Sequence, residues 1–546
     1  MTLLELIKRE DALTRRNIII GATLCGLANA GLLAVINAST SAKGGEPANP
    51  RMFLIFLLLM AIYYLCYRYT FHKTTAIFQS ALHKVKVRVA DKIRRAEYQE
   101  LEKLGVAEIY DRIAESLTVI SDSATALTTC VQSAVMVGFT AIYMASLSMV
   151  AFGLTFALVA AGLSIYTLNA EQIKAYLRHT ALTRLSFFDG LTDLLKGAKE
   201  VKFNHQRGED LYQDIHAIAD SLRGSTEKAH HLLDDNTLFA QCNFFALLGA
   251  VAFIVPQYVS IESESTTSLI AGIIFIMGPL SGVILGIPAF TRANLAAENI
   301  QVLETKLSAA CGGWEEAETA HDPWPSGRFG KIEARDLVYH YFDDASQDGF
   351  QIGPLDLDIS SGEILFIVGG NGSGKSTLLK VLTALYSPSS GHLLMDGRAV
   401  DRRSAPAYRQ RFSVIFGDFH LFKKLYGLGG VDEARVRELL RQMQIDRKTS
   451  FVDGRFTTLD LSTGQRKRLA MIVALLEDRE IYAFDEWAAD QDPEFRRYFY
   501  QEMIQDLKRQ GKTVIVVTHD DQYFHCADRV VTMEYGRIRS VREGTP

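Results

Sequence analysis

Six apolar runs crowd the first 290 residues, at 18–36, 52–69, 124–147, 149–168, 238–259 and 269–290. Crossing ~30 Å of hydrocarbon takes about 20 predominantly apolar residues in a helix. One such run alone is ordinarily a buried core helix; six in one half of a chain predict six membrane-spanning helices. The third and fourth runs are nearly continuous, so the turn near Ser146-Leu147-Ser148 must be very short. No comparable run follows residue 300. Residues 308–330 change character, with Cys311-Gly312-Gly313-Trp314, a Glu-rich stretch and Asp322-Pro323-Trp324-Pro325-Ser326-Gly327, and read as an interdomain linker. From Lys331 onward short β-like runs alternate with helical ones, the pattern of an α/β domain. The expected organisation is a transmembrane domain at 1–307, a linker at 308–330 and an α/β domain at 331–546.

Basic residues set the orientation. Lys73, Lys84, Lys86, Arg88, Lys92, Arg94 and Arg95 lie between the second and third runs. Lys174, Arg178, Arg184, Lys196, Lys199, Lys202 and Arg207 lie between the fourth and fifth. The fifth-to-sixth connection holds Glu262 and Glu264 and no basic residue. A Lys/Arg excess marks the cytoplasmic side, so both basic segments and both termini are expected there. The basic segments have helical periodicity with little Pro or Gly, and at about 1.5 Å per residue they reach tens of Å beyond a bilayer. The net charge of −5 argues against nucleic acid as a partner. Cys25, Cys66, Cys130, Cys242, Cys311 and Cys526 form no C-x-x-C pair, so neither a disulfide framework nor a zinc site is indicated. Residues 1–16 lack the apolar core and cleavage site of a signal peptide.

The chemistry sits in the second half. Gly369-Gly370-Asn371-Gly372-Ser373-Gly374-Lys375-Ser376 is a complete G-x-x-x-x-G-K-[ST] phosphate loop. It follows the apolar Ile364–Val368 and opens a helix-like run at Thr377, the strand–loop–helix context the motif needs. Glycines let successive backbone N–H groups face phosphates, and the helix N-terminus adds partial positive charge. Lys375 is placed to reach the β- and γ-phosphates and Ser376 to hold Mg²⁺. A Gly-rich surface turn is the bland alternative, and the context disfavours it.

Ile481-Tyr-Ala-Phe-Asp485-Glu486 is an apolar strand ending in two carboxylates. Asp485 is expected to hold the metal and Glu486 to polarise the attacking water as general base. Val514-Ile-Val-Val-Thr518-His519 is a second such strand, and its terminal His519 is expected to contact the γ-phosphate. Leu461-Ser462-Thr463-Gly464-Gln465 resembles the ABC signature Leu-Ser-Gly-Gly-Gln, with Thr463 replacing a glycine. An ordinary Ser helix cap looks similar, and the phosphate loop is what gives the match weight. Ser462 and Gly464 could offer a hydroxyl and backbone N–H groups to a γ-phosphate.

Together these motifs resemble the ABC transporter superfamily, an exporter half-transporter with the membrane domain first. The implied fold is a six-span type IV α-helical exporter domain followed by an α/β P-loop cassette. Leu461–Leu469, Phe484-Asp-Glu-Trp-Ala-Ala-Asp-Gln-Asp-Pro493 and Thr518-His-Asp-Asp-Gln-Tyr-Phe524 resemble the bacterial branch that exports cyclic peptides and peptidic siderophore precursors. Trp487, where most ABC proteins have Pro, is the most telling of these residues.

The resemblance implies several further roles. Tyr341, 28 residues before Gly369, fits the aromatic that stacks on adenine, with Tyr339 as the alternative. Asp492 falls in the intersubunit Asp loop. ATP and Mg²⁺ are the implied ligands. A homodimer is implied because one chain supplies one phosphate loop and one signature, so each ATP lies between Lys375 and Ser376 of one copy and Ser462, Thr463, Gly464 and Gln465 of the other. The implied setting is the bacterial inner membrane, with the cassette in the cytoplasm, a peptide-like cargo, and room for periplasmic accessory proteins. Coupling helices are expected at 105–114 and 182–191.

One departure stands out. Where the family has a metal-ligating Gln, Val414-Ile-Phe-Gly417-Asp418 has glycine, and Asp418 or a water is the expected substitute. The cargo is less legible. Tyr63, Tyr64, Tyr67, Arg68 and Tyr69 end the second run, and Asn29, Asn37, Gln241 and Asn243 lie in or near others. An interfacial aromatic belt and helix–helix hydrogen bonding explain these as readily as a cargo cavity. A lipid or multidrug exporter of the same fold, or a non-transporting ABC ATPase, are the competing readings; the six runs argue against the last.

Overall fold

The computed structural model describes residues 12–40, 50–254, 263–311, 323–324, 327–341 and 350–544. The chain divides into two compact units, one of residues 1–91 and 107–305, the other of 92–106 and 306–546.

The first unit is helical. Its long helices are α1 (Ala12–Thr40), α2 (Pro50–Arg95), α4 (Val106–Leu147), α5 (Met149–Lys196), α7 (His205–Gly249) and α8 (Ser263–Ala310). Short α3 (Tyr98–Leu104) and α6 (Ala198–Phe203) punctuate them. Five stretches among the described residues are long and apolar enough to cross a membrane: Arg16–Ser39, Pro50–Arg95, Arg112–Leu147, His205–Ile254 and Ser268–Ala310. The fourth apolar run of the sequence lies in α5, where several side chains fall outside the described residues. The turn between the third and fourth runs is as short as expected, a single residue, Ser148, between α4 and α5.

Helices α5 and α7 pair antiparallel. Gly190 faces Ile215, Thr180 Oγ1 lies 3.3 Å from Ser225 Oγ, and Asn169 Nδ2 donates to Asn236 Oδ1 at 2.9 Å, so numbers fall on one helix as they rise on the other. Asn37 donates to Tyr143 OH at 3.0 Å and to the Ser268 carbonyl at 3.2 Å. Gln132, which its sequence position does not mark, is buried with neither amide atom partnered among the described residues.

In the second unit a four-stranded antiparallel sheet runs β2 (Gln351–Ser360), β1 (Lys331–His340), β4 (Ser390–Met395), β5 (Arg398–Ala399). A six-stranded sheet has the order β12 (Arg537–Glu543), β11 (Arg529–Glu534), β3 (Ile364–Gly369), β10 (Thr513–Val517), β9 (Ile481–Asp485), β6 (Phe412–Ile415). A small hairpin pairs β7 (Phe451–Val452) with β8 (Arg455–Phe456). In the large sheet only β12 is antiparallel to its neighbour. Strands β9 and β10 are buried along their whole length, as the unbroken apolar runs require of parallel strands covered on both faces. Trp324 and Phe329, assigned to a linker by composition, are buried in this unit, and the Trp324 indole donates to the Met395 carbonyl at 2.9 Å.

Candidate functional site

Parallel strands deliver their C-terminal ends to one edge of a sheet, where open α/β folds bind ligands. Here β3, β10 and β9 are adjacent, and their ends carry the phosphate loop, His519 and the Asp485-Glu486 pair. The sheet order thus brings together segments separated by more than a hundred residues.

The loop 369–374 joins β3 to helix α9 (Lys375–Leu382). Gly369, Gly372 and Gly374 hold positive φ, 152°, 75° and 97°, which turns the loop back on itself. Lys375 Nζ donates to the Gly369 and Gly370 carbonyls at 3.0 Å each, inside the concavity that phosphates would enter. Burial holds the Lys375 ammonium below its ordinary pKa, against the pull of Glu486 and Asp485. Ser373 Oγ is buried without a hydrogen-bond partner among the described residues. An orphaned hydroxyl costs free energy unless a ligand satisfies it, and a phosphate oxygen would. Asn371 and Gly372 are exposed at the rim, and Thr377 lies in the first turn of α9.

Ser376 Oγ donates to Asp485 Oδ1 at 3.1 Å. Burial raises the Asp485 pKa, while Ser376 and the Gly417 backbone N–H donate to its carboxylate and pull it back. A hydroxyl and a carboxylate together form the hard oxygen donor set that suits Mg²⁺. Gly417 contributes this N–H and leaves open space: a Cβ there would meet only Asp485 Oδ2, at 3.9 Å. Asp418 is exposed, and no hydrogen bond or ion pair among the described residues joins it to Ser376 or Asp485. The structure therefore gives no support to Asp418 as the stand-in metal ligand.

Glu486 Oε1 lies 2.8 Å from His519 Nε2, and each side chain is about 40% exposed, open to an incoming ligand. Glu486 has φ 49° and ψ 37°, a left-handed conformation that costs a non-glycine residue about 1 kcal/mol or more. Surrounding bonds hold it there. The Glu486 N–H donates to the Val517 carbonyl at 3.0 Å, and Lys467 Nζ donates to the Glu486 carbonyl at 2.6 Å. Thr518 beside His519 is fixed by Tyr500, whose hydroxyl lies 2.6 Å from Thr518 Oγ1.

The signature caps helix α12, Thr463–Glu477, since α10 (Ala405–Arg409) and α11 (Glu433–Gln442) precede it. Ser462 is its N-cap and closes a capping box with Gln465. Gln465 is thus engaged locally, while Ser462 and Thr463 stay exposed. Gly464 is needed because a Cβ there would sit 2.6 Å from the Asp490 carbonyl. The first turns of α12 are tied to residues 487–492. Gln491 Nε2 donates to the Gly464 carbonyl at 3.1 Å, Arg468 to Gln491 Oε1 at 2.9 Å, and Arg468 to Asp492 Oδ2 at 2.5 Å. Asp492 also caps the helix that follows it, accepting from the Phe495 N–H at 2.9 Å. That bond is the leading cause holding its carboxyl below the usual range, with Arg468 adding to it.

Tyr341 is exposed at the end of β1, available to a base. Tyr339 is buried and stacked on Tyr386 with centroids 5.1 Å apart, which excludes it as the adenine platform. Tyr341 packs edge-on against Tyr339 at 6.4 Å, and Tyr386 stacks in turn on Tyr98 of α3 at 6.2 Å. Tyr386 donates its hydroxyl to Glu102, also on α3, and Lys380 of α9 lies over both the Tyr98 and Tyr386 rings. Arg409 pairs with Glu97 at 3.3 Å, and Gln99 donates to Tyr339 OH at 3.1 Å. The short helix that docks on the cassette is therefore Tyr98–Leu104, earlier in the chain than the expected 105–114, where Gly105 instead ends α3 and α4 begins. The second expected coupling segment, 182–191, lies inside continuous α5; the break comes at Gly197, before α6.

The ABC transporter family profile matches residues 352–489. The ATP-binding protein SyrD of Pseudomonas syringae pv. syringae is 33% identical over 474 residues, covering 84% of this chain and 82% of that one. An ATP-dependent lipid A-core flippase of Paraburkholderia xenovorans is 28% identical over 54% of this chain and 50% of its own. Among solved structures, a bacterial Atm1-family ABC exporter with ATP bound superposes with a TM-score of 0.77 at 17% identity, covering 98% of this chain and 96% of that one. At that identity the likeness carries the fold, and both halves of the expected architecture are present in it.

Proposed function

The chain belongs to the ABC transporter superfamily as an ATP-driven exporter half-transporter, and we propose that it moves a peptide-like cargo, a cyclic peptide or siderophore precursor, across the bacterial inner membrane as a homodimer. The observation that carries the motor reading is the adjacency of Ser376–Asp485 at 3.1 Å and Glu486–His519 at 2.8 Å on the ends of neighbouring parallel strands. ATP would rest its base on Tyr341 and its phosphates on the N–H groups of 370–377, displacing Lys375 Nζ from the loop carbonyls. Ser376 and Asp485 would hold Mg²⁺, which when bound neutralises charge on the phosphate oxygens. Glu486 takes a proton from water as the water oxygen bonds to the γ-phosphorus and the bond to ADP breaks; His519 orients the carboxylate and faces the same phosphate. Exposed Ser462 and Thr463 are free to face the nucleotide of a second copy. Nucleotide-driven closure of that dimer, and its reversal on hydrolysis, would shift the membrane helices between two access states.

The cargo reading rests on Trp487 and its neighbours in 484–493 and 518–524, and on Gln132, buried with neither amide atom partnered among the described residues. A cargo rich in amides would satisfy such a group. The likeness to a lipid A-core flippase favours lipid as the second reading. Purified protein in nanodiscs, assayed for ATPase against cyclic peptides, siderophore precursors, lipids and drugs, separates them. Saturable stimulation by a peptide class supports the proposal, and stimulation by lipid alone replaces it.

Two site variants belong to this reading. Lys375→Ala should weaken binding of a fluorescent ATP analogue by about 10-fold or more, since a charge-assisted contact to phosphate is worth roughly 1.5–3 kcal/mol; an unchanged dissociation constant counts against it. Gly417→Gln should fold normally, because the space beside Asp485 is open. It should lower the Mg²⁺ concentration giving half-maximal ATPase, read from a Mg²⁺ titration, by supplying an oxygen the wild-type site lacks.

A further inference from the structure

Lys467 and Trp487 form a two-bond clasp. Lys467 Nζ donates to the Glu486 carbonyl at 2.6 Å, and the Trp487 indole Nε1 donates back to the Lys467 carbonyl at 2.8 Å. Both residues are buried, Lys467 with 6% of its side chain exposed and Trp487 with none. The ammonium is neutralised by Asp490 Oδ2 at 2.6 Å, and the indole is packed on Phe499 with centroids 4.6 Å apart. A proline at 487 could not donate the return bond. The clasp closes around the one residue of the site that carries left-handed backbone next to its reacting carboxylate, Glu486. Its other half is the helix whose first residues are the exposed Ser462 and Thr463.

We infer that Lys467 is a positioning residue for hydrolysis: its bond to the Glu486 carbonyl, braced by Trp487, sets the backbone from which the Glu486 carboxylate reaches water and His519, and so makes placement of the base depend on where the signature helix sits. Lys467 acts through Glu486, whose carbonyl its ammonium holds. The direct consequence is a loss confined to turnover. A misplacement of about 1 Å in a catalytic group costs on the order of 100-fold in rate while leaving ground-state binding intact.

The inference rests on Glu486 being the general base, and the test separates the two. The full chain in nanodiscs is assayed for kcat and KM with ATP as Lys467→Met, Lys467→Gln and Trp487→Phe, with Glu486→Gln alongside. Lys467→Met keeps the length and loses the donor; kcat should fall about 10- to 100-fold with KM for ATP within about twofold of wild type. Lys467→Gln restores an N–H for the carbonyl without the charge and should recover most of that loss. Wild-type kcat in Lys467→Met overturns the proposal. If Lys467→Met is unstable, Trp487→Phe decides: it keeps the ring and removes the return bond, so a kcat-only loss supports the clasp and an unchanged kcat overturns it. Near-wild-type hydrolysis by Glu486→Gln would instead remove the base from the reading, whatever Lys467 does.

Discussion

Glu486→Gln should lower steady-state ATP hydrolysis by about 100-fold or more while leaving ATP affinity within about twofold. The substitution keeps the shape of the side chain and can keep its contact with His519 Nε2, now 2.8 Å from Oε1. It removes only the capacity to accept a proton at neutral pH. General-base contributions run on the order of 10²–10⁴ in rate, so the loss should appear in kcat alone. The carboxylate is about 40% exposed and is no part of a core, so the variant should melt with the wild type. The readouts are phosphate release and binding of an ATP analogue, and a variant that binds without hydrolysing should be trapped as the closed dimer. Hydrolysis near the wild-type rate would show that another group takes the proton.

Gly369→Ala should abolish measurable ATP binding and lower the melting temperature of the cassette. Gly369 is at φ 152°, and a Cβ there would lie 2.2 Å from the Met533 carbonyl oxygen and 2.8 Å from Ser373 Oγ. The first contact is with backbone. Met533 is the partner of Gly369 in the β3–β11 ladder, so relief means separating two strands of the central sheet or moving the loop. Overpacking of this kind costs about 1–3 kcal/mol, and the φ adds to it. The loop's donors then no longer converge on one point, and affinity should fall by more than about 100-fold at the analogue-binding assay. A variant that binds and melts like wild type would mean that the turn relaxes without cost. Comparison with Gly370→Ala supplies the contrast, because a Cβ at Gly370 meets nothing within 4 Å.

Those two sites were legible as sequence because each depends on residues that must be contiguous. A phosphate loop needs its glycines, Lys375 and Ser376 in unbroken order, and Asp485-Glu486 must follow an apolar strand. What binds such segments to one another is not contiguous and left no trace. Lys467 reads as one more cation in Arg466-Lys467-Arg468, yet it is buried, and only the fold places it on the Glu486 carbonyl. Tyr386 has no motif around it, and its role comes from being stacked between Tyr339 and Tyr98. The docking helix was expected several residues too late because helical periodicity runs on through 98–114; the interruption is a single glycine, Gly105, at φ 73°. Asp418 carried the right chemistry, yet no bond among the described residues ties it to the Ser376–Asp485 pair. Gln132 went unremarked among apolar neighbours, since burial of an amide is invisible until the helices are packed.

The clasp also gives the protein a native optical reporter. Of three tryptophans in the chain, Trp324 donates to the Met395 carbonyl in one core of the cassette, while Trp487 sits between the base and the signature helix. An indole's emission follows the electric field across its ring, and Lys467, whose carbonyl accepts the Trp487 indole N–H, carries an ammonium paired with Asp490. Any rotation of the signature helix relative to β9 must stretch or break the indole hydrogen bond and move the Lys467 charge. With Trp314 and Trp324 both replaced by Phe as the quiet background, nucleotide binding, closure and hydrolysis should each leave a distinct step in the Trp487 fluorescence, readable in real time on protein carrying no label.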